Sequence, residues 1–463
     1  MSTPAPSGID VLAVLQAEIG DAVITDASAL EAVRVDKSGH MSAAPPLALV
    51  EARSVDDVQT TLRWATAYRI PVVPRGAGTG LAGGAIAGFG EIVLSTRAMN
   101  RVLEVSIDDE LAVVEPGVVN ADLNELLAES GLWFAPDPAS KAISTVGGNI
   151  ATNAGGLLCA KYGVTRESVL GLAVVLADGR LVRFGHRTIK GVTGYDLTAL
   201  MIGSEGTLGV IVEATLKLRP LRSGTMVTAS AGFPSVEQAA RAAADISASG
   251  VRPAIMELLD HAALEAIGEH LGLDLVGRGA QLLVQTDGAG SRSEAKKVSA
   301  IMTSLGGVVE TTDDPDEGER LFEIRRAFHA SLLPRGMVLI EDVAVPRSAL
   351  PRMFAAIERI ADTHGIEIAT VAHAGDGNLH PNFVFAPEWE NGQPVVPDRV
   401  WAAADELFSD CLRLGGTLTG EHGVGVLKRR WLKRELGDDS FDLQQQVKGV
   451  FDPLGILNPG KVF

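Results

Sequence analysis

A chain of 463 residues is too long for one hydrophobic core, so two or three domains are expected. Its 46% hydrophobic content points to a globular protein, and its formal net charge of −18 excludes a nucleic-acid partner, because a phosphate backbone demands a basic face. Cys159 and Cys411, the only cysteines, offer neither a disulfide framework nor a thiolate metal centre, and no run approaches the ~18 apolar residues of a membrane span. The opening stretch MSTPAPSGIDVLAVLQAEIG has no basic segment ahead of an apolar core, so the expected location is the cytoplasm, with peripheral attachment to a membrane left open.

In chain order, residues 9–19 carry apolar positions at helical spacing, 47–52 reads as a strand, and 55–69 reads as an amphipathic helix. The apolar run 70–73 then enters PVVPRGAGTGLAGGA, with five glycines between Gly76 and Gly84. A loop this poor in Cβ atoms lets backbone N–H groups approach a diphosphate closely. It is no P-loop, since Leu81-Ala82 stands where Lys-Ser/Thr belongs. Nor does it open a dinucleotide-binding helix: Gly78, Gly80 and Gly83 fit G-x-G-x-x-G, but the glycines run on to Gly90 and into a strand at 91–95.

From 91 to 116 short strands follow, IVLST, VLEVS and LAVVEPG, and a helix is expected over 121–130. This is α+β rather than βα alternation. A second glycine-rich segment, APDPASKAISTVGGNIATNAGGLLCAKYG over 135–163, reads as a long neutral polar loop, which is usually functional. A third, IGSEGTLGVIVEATLKL over 202–218, places Ser-Glu-Gly-Thr ahead of an apolar strand, and Pro220 closes the unit.

These three segments, in this order, resemble the FAD domain of the vanillyl-alcohol-oxidase or PCMH-type flavoproteins. The tail motifs HAGDGNLH, TGEHGVG and LNPGKVF narrow the resemblance to the branch of D-lactate dehydrogenases, the glycolate oxidase D-subunit and D-2-hydroxyglutarate dehydrogenases, spanning residues 45–463. The fold implied is a two-part FAD-binding domain, 1–222, a ferredoxin-like α+β cap domain, 223–420, and a C-terminal segment, 421–463, that returns to the FAD domain. By resemblance, Pro74, Arg75, Gly76, Ala77, Gly78, Thr79, Gly80 and Leu81 wrap the FAD diphosphate. Pro136, Asp137, Thr145, Gly147, Gly148, Asn149, Ala151, Thr152, Asn153 and Gly155 line the flavin and ribityl chain. Glu205, Gly206, Gly209 and Ile211 hold the adenosine side, and Asn458 and Lys461 lie near the flavin. Covalent attachment in such proteins uses a His or Cys; the first loop has no His and Cys159 lies just past the second, so the FAD is expected to be non-covalent.

From 223 the composition turns to alanine-rich helices and mixed strands, and LFEIRRAFHASL reads as a helix with Arg325 and Arg326 near its middle. Arg325 matches the arginine that grips the substrate carboxylate in the family, a task suited to a guanidinium fork. In HAGDGNLH, His373 and His380 flank two glycines, so a hairpin turn at Asp376-Gly377 or Gly377-Asn378 would bring both imidazoles to one ion. Glu421 completes a set of two His and one carboxylate, suited to zinc or another divalent transition metal. Asn382 follows in the same strand as a polar neighbour.

His422 is the candidate general base. Oxidation of R-CH(OH)-COO⁻ by hydride transfer to flavin N5 requires loss of the hydroxyl proton, and an imidazole accepts it near neutrality. Glu421 and His422 share a site only if the backbone turns there, which Gly420 and Gly423 favour. The 2-hydroxyglutarate members place a lysine just before the aspartate of the segment that here reads LIEDVAVP, and a hydroxyl three to four residues after the arginine; this chain has Ile340 and His329 at those places. A monocarboxylate such as D-lactate is therefore favoured, with His329 as a further substrate contact. Glycolate and D-2-hydroxyglutarate remain alternative substrates, and a flavin-binding protein without turnover is the alternative of another class. A quinone, an electron-transfer protein or O₂ are the candidate acceptors, and a homodimer or a subunit of a complex the candidate assemblies. Iron–sulfur centres, if used, lie on another chain.

Overall fold

The computed structural model describes residues 11–275, 278–390 and 393–463, so the first two residues of the helix expected over 9–19 lie outside the described residues; the rest of it forms helix Val11–Ile19. The chain divides into two compact units. One takes the described residues up to Gly155, then Gly163–Leu221 and Glu421–Phe463; the other takes Gly156–Tyr162 and Arg222–Gly420.

The first unit begins with a strand–helix–strand crossover. Strands Ala48–Glu51 and Val72–Arg75 both run parallel to Ile92–Ser95, which lies between them. Val23–Ile24 adds an antiparallel edge. The crossover helix, Val55–Tyr68, starts because the Ser54 side chain accepts the Asp57 N–H and because Asp56 and Asp57 face the positive end of its dipole. It ends at Arg69, a non-glycine residue in the left-handed region at φ 57°. Val58, Leu62 and Ala65, spaced one turn apart, are fully buried against Val50, Val72 and Leu94. Burial on that scale contributes about 1.5–3 kcal/mol for each large aliphatic side chain.

An antiparallel sheet follows, in the order Val102–Ser106, Leu111–Val114, Val210–Lys217, Val169–Val175, Leu181–Gly185. The C-terminal segment joins the first core: Ile456 and Leu457 are buried in it, Val72 N–H donates to the Ile456 carbonyl at 2.8 Å, and Asn458 N–H donates back to Val72 at 2.8 Å.

The segment expected to be one long polar loop over 135–163 is different. It contains helix Val146–Thr152, capped by the Thr145 hydroxyl at its start and by Asn153 at φ 50° at its end, and a second short helix, Cys159–Tyr162. The glycines mislead because here they serve packing: a Cβ on Gly147 would stand 3.0 Å from Pro116 Cα.

The second unit contains the ferredoxin-like arrangement. Val227–Phe233, helix Val236–Ala248, Ile255–Asp260, Ala280–Thr286, helix Ser291–Ser304 and Val308–Thr312 form β-α-β-β-α-β, with the fourth strand beside the first and the third between first and second. Helix His261–Leu271 is inserted between its second and third strands. The sheet is then extended past Ile255–Asp260 by Glu367–His373, Asn378–Phe385 and Met337–Ile340, all antiparallel. No helix among the described residues is long and apolar enough to cross a membrane.

Candidate active site

In the first unit the motif segments converge. Strand Val72–Arg75 delivers the chain to the first glycine loop, where Gly76 leaves room for Thr145: a Cβ there would lie 2.5 Å from its hydroxyl oxygen. Arg75 turns back into its own loop, donating to the carbonyls of Ala85 at 2.6 Å and Val35 at 3.0 Å, and its guanidinium fills the space over Gly78, which sits at φ 70°. The arginine thus braces the loop from within. Ala77, Thr79, Gly80 and Leu81 remain half-exposed along its rim.

Glu205, also in the left-handed region at φ 51°, accepts N–H groups from Val424 at 2.7 Å and Gly425 at 2.9 Å. Burial raises its carboxyl above the usual range, and these two N–H groups offset that only in part. Asn458, fully buried, donates its side-chain amide to the carbonyls of Gly84 and Glu205 at 2.9 and 2.7 Å. Loops expected to meet at one cofactor are thereby stitched to one another. Glu421 and His422 stand on the loop that Glu205 holds, with His422 Nε2 4.0 Å from Glu421 Oε1. The backbone does turn there, with Gly423 at φ 87° and Gly425 at φ 49°, and a Cβ on Gly155 would come within 3.2 Å of Glu421 Cβ. Lys461 is buried and paired with Glu91 at 3.3 Å, burial lowering its pKa.

The set fits a flavin nucleotide. Asn149 Nδ2 and Ser144 Oγ are buried without a hydrogen-bond partner among the described residues, the kind of polar atoms that a cofactor's carbonyls, ring nitrogens and hydroxyls satisfy. Pro136, Thr145, Gly147 and Asn149 are buried around them, with Asp137, Gly148, Ala151, Thr152 and Asn153 partly exposed. Gly206, Gly209 and Ile211 are buried where the third segment enters strand Val210–Lys217.

In the second unit the expected hairpin forms, with its turn over 374–377 and Gly377 at φ 90°. His373 pairs with Asn378, so His380, two residues on, lies on the same face diagonally opposite. The two rings stand edge to face with centroids 5.0 Å apart. Asn382, buried and two residues beyond His380, continues that face. On the other side of His373, the sheet register places Glu257 directly opposite it. Glu257 is fully buried; His373 Nδ1 is 2.6 Å from its Oε1, and Arg325 Nε is 2.7 Å from its Oε2. Burial drives this carboxyl up, but the His373 and Arg325 charges outweigh it and hold it below the usual range.

Arg325 lies in the last turn of helix Pro315–Arg326, not near the middle of one continuous helix. Ala327 separates that helix from Phe328–Leu332, which carries His329 on its exposed side. A second buried carboxylate, Asp342, accepts from Asn378 at 2.6 Å and Thr419 at 2.5 Å and lies 3.7 Å from His380 Nδ1. Glu257 and Asp342 are the two site residues that sequence reasoning misses. The available cue for Glu257 is an acid in the middle of an apolar run, as in AIMELLD.

A unit of converging glycine segments with orphaned polar atoms, chain-linked to a ferredoxin-like unit holding buried charges, describes a flavoprotein oxidoreductase. Comparison with known proteins makes this specific. Residues 46–185 match the FAD binding domain family, and residues 223–462 match the C-terminal domain of the FAD linked oxidases. The chain is 40% identical over 423 residues to the glycolate oxidase subunit GlcD of Bacillus subtilis, covering 90% of this chain and 89% of that one. It is 37% identical to the D-lactate dehydrogenase of Archaeoglobus fulgidus, over 91% and 92%, and 34% identical to the D-2-hydroxyglutarate dehydrogenase of Stutzerimonas stutzeri, over 95% and 96%. In fold it is similar to p-cresol methylhydroxylase, with TM-score 0.79, 17% identity and coverage of 98% and 96%, and to 4-ethylphenol oxidase from Gulosibacter chungangensis, with TM-score 0.77, 19% identity and coverage of 100% and 98%. The chain belongs to the FAD-linked oxidase family and is an FAD-dependent oxidoreductase.

Proposed function

We propose that this chain oxidises a small D-2-hydroxy acid to the 2-oxo acid, with FAD bound non-covalently by the first unit and a divalent metal on His373, His380 and Glu421. One observation carries the reading: a guanidinium suited to a carboxylate, Arg325, and an imidazole suited to a metal, His373, are tied to the same buried acid. Glycolate, D-lactate and D-2-hydroxyglutarate, named for the relatives, are all 2-hydroxy acids.

FAD, when bound, supplies the two-electron acceptor. A divalent ion on those three ligands would polarise the 2-hydroxyl and lower its pKa. The protein's own groups do the rest. The Arg325 fork pairs with the carboxylate and so fixes the orientation of C2 and of the hydrogen it loses. The His422 imidazole takes the hydroxyl proton as the C2–H bond breaks, so that the carbonyl forms without building up an alkoxide. Asn382 offers an amide to the same end of the substrate. Ile340, where a cation would serve a second carboxylate, favours a monocarboxylate such as D-lactate.

The test is anaerobic bleaching of the flavin absorbance by D- and L-lactate, glycolate, D-malate and D-2-hydroxyglutarate, before and after a chelator. Fast bleaching by D-lactate or a longer D-2-hydroxy monocarboxylate is expected, lost with the chelator and restored by zinc or manganese. Bleaching by none of them overturns the substrate class. Bleaching indifferent to chelation overturns the metal.

A further inference from the structure

Glu257 stands behind the two groups just assigned, and its geometry gives it a role of its own. Each carboxylate oxygen has a separate partner: Oε1 takes His373 Nδ1 at 2.6 Å and Oε2 takes Arg325 Nε at 2.7 Å. Neither contact is incidental to the fold. Glu257 is opposite His373 in the sheet register, on the same face of adjacent strands, whereas Arg325 arrives from a helix 68 residues further along the chain.

Each contact also leaves a defined group pointing onward. A neutral imidazole that donates from Nδ1 carries its lone pair on Nε2, and a carboxylate accepting that proton makes the ring a better ligand. A guanidinium committed through Nε presents its terminal nitrogens, Nη1 and Nη2, as the fork that matches a carboxylate. A 2-hydroxy acid carries its carboxylate and its hydroxyl on neighbouring carbons. The protein must therefore hold a cationic fork and a metal-ligating imidazole at one fixed separation, and a rigid, fully buried carboxylate bridging the two sets that separation.

We infer that Glu257 is a positioning residue that fixes His373 as a metal ligand and Arg325 as the carboxylate fork at once, and so matches the site to acids whose hydroxyl is on the carbon next to the carboxylate. The inference rests on the proposed function and deepens it. It differs from a plain buried ion pair in one respect: removing Glu257 weakens two binding events that otherwise have no residue in common.

Two measurements on the flavin-bearing protein test this, neither of them turnover. One is zinc affinity by competition with a chromogenic chelator. The other is calorimetric binding of propionate, which has the carboxylate but no 2-hydroxyl, to metal-stripped protein. His380→Asn is expected to weaken zinc alone and Arg325→Met to weaken propionate alone. Glu257→Gln is expected to weaken zinc by about 10–100-fold and propionate by about tenfold.

Wild-type protein that binds both probes, together with a Glu257→Gln protein within twofold of it on either, overturns this inference and leaves the proposed function standing. Wild-type protein that binds neither zinc nor propionate overturns both. Should Glu257→Gln fail to accumulate with flavin, Glu257→Asp keeps the charge but draws the oxygens back by one methylene. It is read by the same two measurements, and loss of both affinities again supports the role while retention of either overturns it.

Discussion

The two units build recognition from opposite materials. In the first, Gly76, Gly147 and Gly155 bring backbone within reach of Thr145, Pro116 and Glu421, and the buried polar atoms around them, on Ser144, Asn149 and Asn458, are neutral. In the second, Arg325 from a helix and Glu257 and His373 from adjacent strands form a row of ionisable groups, with Asp342 on the far side of the hairpin. Backbone dipoles and amides work wherever the chain can approach closely enough. Buried ions work only while each keeps its partner, because an unpaired one costs far more than the pair contributes. The first region is therefore vulnerable to added volume, and the second to the loss of any one side chain.

His422 cuts across this contrast, since it is an ionisable group carried by the first unit on the loop that Glu205 holds. If cofactor retention is a matter of backbone and chemistry a matter of ionisable groups, His422→Ala separates them. Flavin content is expected to match wild type, while the anaerobic rate of flavin reduction falls by about 10²–10⁴-fold. A rate within a few-fold of wild type removes His422 as the proton acceptor.

Gly147→Ala should do the reverse. Gly147 N–H donates to the Pro116 carbonyl at 2.8 Å and Val146 N–H to Val118 at 2.8 Å, so neither backbone can yield to a methyl group placed 3.0 Å from Pro116 Cα. Overpacking of this kind costs about 1–3 kcal/mol, and the expected result is a lower flavin-to-protein ratio and a lower Tm. Gly90→Ala is the control. Gly90 needs its φ of 81° but has nothing within 4 Å, so the cost is the conformational one alone, about 1–2 kcal/mol, with flavin retained. Full flavination of Gly147→Ala would break the claim that close packing shapes the cofactor cradle.

The same contrast explains what was legible in the sequence. Glycine runs, neutral amides and the GDGN turn between His373 and His380 are local signals, and they placed the first loop and the hairpin. The helix Val146–Thr152 was hidden because two glycines in seven residues argue against helix unless packing overrides propensity. The end of the Arg325 helix was misplaced because Ala327 carries no stop signal. Glu257 could not be assigned at all: it is 68 residues from Arg325 and 116 from His373, and only the sheet register brings it beside them. Side chains that bind through partners distant in sequence leave no motif, only an acid where an apolar residue would be expected.

Asp260 sharpens the comparison within a single strand. It closes the strand Ile255–Asp260 that carries Glu257 and accepts the N–H groups of Ala263 and Thr370, both at 2.8 Å. Glu257 is paired with Arg325 and His373 and is held low, whereas Asp260 has only neutral donors, with Glu358 pushing it further up. Burial dominates, and its carboxyl is pushed up from 3.8 to about 7. A raised carboxyl in the folded chain means that, from about pH 4 to about pH 7, the unfolded chain gives up the proton and the folded one keeps it. The contribution to stability is thus complete at the acid end of that window and is lost as the pH rises through it. The expected result is a urea midpoint that declines between pH 5 and pH 8, and a shallower decline in Asp260→Asn, which cannot ionise and still caps helix His261–Leu271 through its carbonyl oxygen. An Asp260→Asn protein with the wild-type slope would mean that this acid is ionised in the fold, and that two backbone donors hold a buried charge as well as the Arg325–His373 pair does.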